Sequence, residues 1–117
     1  MPASGLVLDL EDARLIFAHR LREARLRAGL TQEALGVAAG VNPDVARTRI
    51  NRYEKGVNEC DLRTAKRLAD ALGLPLAALF AESDGMAEAI VALAKLSDSE
   101  LAKLVKTLGA GAARDEQ

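Results

Sequence analysis

Residues 31–56, TQEALGVAAGVNPDVARTRINRYEKG, restrict this chain more than any other stretch, because a glycine interrupts a helical run of apolar positions and dictates where the backbone must turn. Leu35, Val37, Ala38, Val41, Val45, Ile50 and Tyr53 fall at helical spacing on either side of Gly40. Thr31 can accept a hydrogen bond from an orphan N–H of a first turn, and Gln32 and Glu33 follow as good helix formers, so one helix starts near Gln32. Gly40 can take the positive φ that ends it. Asn42 then Pro43 is a second N-cap with proline where a helix tolerates it, and Lys55 and Gly56 close that helix with a cation followed by a glycine. The spacing predicts a helix over 43–54, with Val45 or Ala46 extending its buried stripe and Asp44 in its first turn; the rival reading is a longer turn with the helix starting near Ala46.

Two short helices joined by a tight turn make a helix-turn-helix. The run T-Q-x-x-L-x-x-x-A-G-V at 31–41, followed by R-I-N-R-Y-E-K-G at 49–56, resembles the phage-repressor-type, XRE-like (Cro-type) helix-turn-helix family, and residues 62–80 are similar to that family's closing helices. The resemblance spans roughly residues 12 to 80. It departs between the positions of Val41 and Ile50, where this chain is longer by roughly one helical turn. The resemblance implies an all-α fold, a compact five-helix lambda-repressor-like domain that binds double-stranded DNA. It also implies that Gln32 meets a phosphate, that Tyr53 packs on the core, and that the Glu54 carboxylate pairs with a basic residue of an earlier helix.

Composition points the same way. Half of the residues are apolar, but only Phe17, Tyr53 and Phe80 are aromatic, and no stretch alternates as a half-buried strand would. There is no βαβ pattern to carry a nucleotide. Cys60 is the only cysteine and His19 the only histidine, so neither a disulfide within the chain nor a metal cluster is expected, and no cofactor. His19 reads as an ordinary helix residue and Cys60 as a small loop filler. No run approaches the ~18 apolar residues of a membrane span and the N-terminus lacks a signal-peptide pattern, so a cytoplasmic protein is expected. The net charge of −1 hides a segregation: residues 14–67 carry 12 Lys and Arg against 6 Asp and Glu, a local +6, while both ends are acidic. A positive face at the motif suits phosphates.

Along the chain, residues 1–8 read as a flexible arm without a cation for a minor groove, and residues 9–81 as the DNA-binding domain. Its first helix runs from Asp9 or Asp12 to Ala28. Leu15, Phe17, Ala18, Leu21 and Leu26 form the expected buried stripe, and Arg14, Arg20, Arg22, Arg25 and Arg27 lie mostly on the wet side. Asp61 caps a helix with Leu62, Ala65, Leu68, Ala69 and Leu72 at core spacing, and Pro75 opens a short helix whose Leu76, Leu79 and Phe80 close the core. After a linker at 82–85, residues 86–108 read as a C-terminal helical hairpin with a capping box at Ser97 and Glu100, a candidate dimerisation element; 109–117 read as a disordered tail.

Counting along helix 43–54 from a buried Ile50 puts Arg47, Thr48, Asn51 and Arg52 away from the core. Arg47 can read guanine, Asn51 adenine, and Thr48 a base or a phosphate; Arg52 and Gln32 are assigned to phosphates. The expected function is a sequence-specific regulator of transcription, a homodimeric repressor reading a near-palindromic operator in the major groove. The alternative is a helix-turn-helix used for protein contacts, antitoxin-like or adaptor, with little specific DNA binding. No paired nucleophile and base, phosphate-binding glycine loop or metal cluster suggests an enzyme, and no seat for a small-molecule ligand or a membrane is evident.

Overall fold

A computed structural model describes residues 12–115, with side chains through Gly111; the arm at 1–8 and the last two residues of the expected tail lie outside them. Helices α1 (Ala13–Arg27), α2 (Gln32–Ala38), α3 (Pro43–Glu54) and α4 (Leu62–Ala71) are followed by a 3-10 helix (Leu76–Phe80), then α5 (Asp84–Leu93) and α6 (Asp98–Asp115), with no strand among the described residues. The caps stand where the sequence puts them. Thr31 accepts from the Ala34 N–H at 3.0 Å, Asn42 from Asp44 at 2.8 Å and Asp61 from Thr64 at 3.0 Å. The Thr64 hydrogen bonds hold the Asp61 carboxyl below the usual carboxylate range. Ser97 and Glu100 satisfy each other's backbone N–H groups at 3.1 and 2.9 Å, a complete capping box.

One core joins the first four helices and the 3-10 helix. Phe17 and Leu21 of α1, Leu35 of α2, Ile50 and Tyr53 of α3, Ala65, Leu68 and Ala69 of α4, and Leu79 form it, and Phe80 stacks on Phe17 with ring centroids 5.4 Å apart. The tightest approach is between α2 and α3. A Cβ placed on Gly36 would lie 2.8 Å from the Cβ of Ala46, so the two helices touch through a residue with no side chain and one with almost none. Gly40 takes φ +85° in the turn between them.

Several side chains differ from the sequence expectation. The buried stripe of α1 is Ile16, Phe17, Ala18, Arg20 and Leu21, whereas Leu15 and Leu26 are exposed. Arg20 is inside because α5 begins beside it: its Nε donates to the Ala81 carbonyl at 2.9 Å and its Nη1 to Asp84 at 2.7 Å. Arg25 is also largely buried, against Glu54. Leu62, in the first turn of α4, points into solvent, and on α3 it is Ala46, not Val45, that extends the buried stripe.

Beyond Ala81 the structure departs further. Helix α5 starts at Asp84, inside the expected linker, and packs on the 3-10 helix. Helix α6 runs past Leu108 to Asp115, because alanines surround Gly109 and Gly111 and neither glycine has to bend the backbone. The two helices exist in the expected order but do not close on one another: α6 makes no more than glancing contact with any other element.

Candidate nucleic-acid interface

Helix α3 is oriented by what it buries. Ala46, Ile50 and Tyr53 face α2 and the core, and at ~100° per residue Thr48 lies on the opposite side of the helix. Asp44, Val45, Asn51 and Arg52 fall within ~60° of Thr48, and Arg47 and Arg49 stand ~100° to either side of it. Arg47, Thr48, Arg49 and Arg52 are all exposed, and Asn51 is half-buried. Among the described residues none of these three arginines has an ion-pair partner, so their charge faces water. Arg49 was not singled out by the sequence; the signal for it is the same helical count, which makes it the mirror of Arg47 across Thr48.

The C-terminal end of α3 is locked to α1 and α2 by one carboxylate. Glu54, its side chain 2% exposed, accepts from Arg25 Nε at 2.6 Å and from Arg25 Nη2 at 3.0 Å, while Arg25 Nη1 donates to the Leu30 carbonyl at 2.9 Å. The fork-on-fork geometry suits a buried guanidinium and carboxylate. Gln32, at the start of α2, joins this network: its Nε2 donates to Glu54 at 3.1 Å and to Asn51 Oδ1 at 3.2 Å. The structure thereby brings together Gln32 and Asn51, which the sequence assigned to different contacts. Among the described residues Arg47, Thr48 and Arg52 take no part in this network.

Two other clusters resolve into structure. Cys60 lies beside Tyr53, and burial together with the Asp61 charge pushes its thiol up to about 12, so it is a neutral filler with no thiolate to react. His19, Glu23 and Asp84 bring possible ligand atoms within 4.8 Å of one another, but Arg20 Nη1 stands 2.7 Å from Asp84 and 3.5 Å from Glu23 and fills the place a cation would take.

The arrangement is a polar helix face flanked by cations, carried on a two-helix unit with a short turn, and such a face fits a groove about 12 Å wide. A family model described as "Helix-turn-helix domain" matches residues 16–82. The chain is 34% identical over 71 residues to the cryptic phage CTXphi transcriptional repressor RstR of Vibrio cholerae; the match spans 59% of this chain and 59% of that one. The crystal structure of the transcriptional regulator BswR superposes with a TM-score of 0.69 at 32% identity, covering 80% of this chain and 92% of that chain. The hypothetical transcription factor NHTF from Neisseria, at 23% identity, shares the fold with a TM-score of 0.62 over 74% of this chain and 95% of its own.

Proposed function

The chain belongs to the helix-turn-helix domain family, matched over residues 16–82, and from that premise we propose that it is a DNA-binding regulator of transcription, a repressor that lays α3 in the major groove of a near-palindromic operator. The observation that carries this reading is the exposed face of α3, with Thr48 opposite the buried Ala46 and Ile50 and exposed arginines on both flanks. Arg47, Thr48 and Asn51 read bases and Arg52 meets a phosphate. Gln32 also meets a phosphate, and to do so its amide gives up one of the two bonds it now makes, to Asn51 or to Glu54. A protein of this kind works in the cytoplasm, where the operator is, and does no chemistry of its own.

A homodimer completes the reading. One recognition helix contacts few bases, and a two-fold dimer repeats the contact about 34 Å along the duplex. Leu101, Leu104, Val105 and Leu108 lie on one face of α6, the first two partly covered and the last two exposed, and a second copy is the occupant we assign.

Selection of bound duplexes from a random pool, repeated at two salt concentrations, tests the proposal. A preferred sequence with two half-sites, and affinity that falls steeply with salt, are expected. Arg47→Ala or Asn51→Ala then loses ~1–3 kcal/mol of discrimination at particular base pairs, whereas Arg52→Ala or Gln32→Ala weakens binding to all sequences. A folded chain that prefers no sequence even at low salt overturns it and leaves the protein-contact reading, for which the uncovered face of α6 is the specific observation.

A further inference from the structure

Every outward position of α3 near Thr48 is polar or charged except one. Val45 is 41% exposed in the first turn of the helix, beside Asp44 and one turn before Thr48 and Arg49. Its branched side chain lies outside the core cluster, because Ala46 takes the inward position there and is fully buried. The backbone at this point is well fixed: Asn42 caps the helix through the Asp44 N–H, and Pro43 sets its first φ. A rigid, exposed apolar group within ~60° of Thr48 sits among side chains suited to hydrogen-bond base edges but can itself accept or donate nothing. The major groove offers one apolar feature, the 5-methyl group of thymine.

We propose that Val45 is a specificity-determining residue that packs on a thymine 5-methyl group, fixing one T·A pair in each half-site. The inference rests on the proposal that α3 reads DNA, and adds to it a contact made without any hydrogen bond. Removal of one methyl from a packed apolar contact lowers affinity about three- to tenfold. Asp44, next to Val45 and also exposed, keeps this end of the helix from binding phosphate indiscriminately.

The test replaces each thymine of a selected duplex, one at a time, by uracil, which removes only the methyl group and leaves base pairing intact. With the wild-type chain one thymine per half-site is expected to show the three- to tenfold loss. With Val45→Ala that position becomes indifferent to the exchange, and with Val45→Thr, which keeps one methyl, part of the sensitivity returns. Circular dichroism of both variants checks that the helix content is unchanged, as an exposed position predicts. A preferred sequence whose thymines all tolerate uracil, or a uracil penalty that persists undiminished in Val45→Ala, overturns this inference alone. A pool that returns no preferred sequence overturns the DNA-reading proposal beneath it.

Discussion

Helices α2 and α6 form an instructive pair. The first is short, contains Gly36 and an exposed Val37, and would hardly persist alone in water, where a helix of fewer than ~12 residues is marginal. It exists because Leu35 and Gly36 are pressed against Ile50 and Ala46, and because Gln32 is tied to Asn51 and Glu54. The second is long, rich in leucine, alanine and lysine, and opened by a full capping box, so its local sequence suffices to draw it. Yet from Glu82 to Gly111 no described residue is buried, while every fully closed position lies between Ile16 and Ala81. Helix formation and burial are therefore separate achievements in this molecule, the one read from propensity and caps, the other from whether a partner surface exists.

The largest effect should come from breaking the lock that gives α2 its partners. Glu54→Ala leaves the Arg25 guanidinium, 11% exposed, without its carboxylate, and Gln32 without one acceptor. A stranded charge in such a place costs about 3–5 kcal/mol, which thermal or denaturant unfolding will read directly. A loss below ~1 kcal/mol would mean that α1, α2 and α3 hold together without the network, and the contrast with α6 would then rest on apolar packing alone.

Next in size is the contact at Gly36. Gly36→Ala is favourable for an isolated helix by ~1 kcal/mol but places a methyl 2.8 Å from Ala46 Cβ, so α2 and α3 must separate. Overpacking of this kind costs about 1–3 kcal/mol, and a net loss of stability on unfolding is expected. The pair Gly36→Ala with Ala46→Gly should recover part of it by restoring the clearance. If Gly36→Ala alone stabilises the protein, propensity governs α2 after all, and the comparison fails at its first term.

Much of this was legible in the sequence, and the exceptions have a common cause. Caps and turns depend on neighbours in the chain, so Thr31, Gly40, Asn42, Asp61 and Ser97 could be placed from residue type and spacing. Arg47, Thr48 and Arg52 could be turned outward because Ile50 fixed the phase of α3. Arg20 could not be placed, since its burial is set by the arrival of Ala81 and Asp84 from far along the chain. The same holds for Gln32 and Asn51. Their hydrogen bond exists only once α2 crosses α3, and no count along either helix anticipates it.

A smaller effect tests the border between the two regions. Asp84 joins α5 to Arg20, and its carboxyl is held below the ordinary range by that hydrogen bond. A depressed carboxyl stabilises the fold above its unfolded pKa of ~4 and loses that contribution as pH falls through the folded value. Asp84→Asn should therefore lower the melting temperature slightly at neutral pH, and the gap from wild type should narrow on acidification below pH ~4. A gap that widens in acid would show that the Arg20 contact does not fasten α5 to the body.

The smallest effect on the folded monomer belongs to α6, where the comparison is sharpest. Val105 is 59% and Leu108 63% exposed, so Val105→Asp with Leu108→Asp removes no core contact and should change the stability of an isolated chain by no more than ~0.5 kcal/mol. The same change places two charges in the face assigned to a second copy. Dimerisation stabilises the folded state by mass action, so the melting temperature of the wild-type chain should rise with protein concentration. That of the double variant should not, and sedimentation should report it as a monomer. Equal concentration dependence in both chains would mean that α6 stays uncovered in the dimer and that two copies meet elsewhere. Loss of several kcal/mol at low concentration would mean instead that α6 folds back on its own chain in solution, and that the two regions are one.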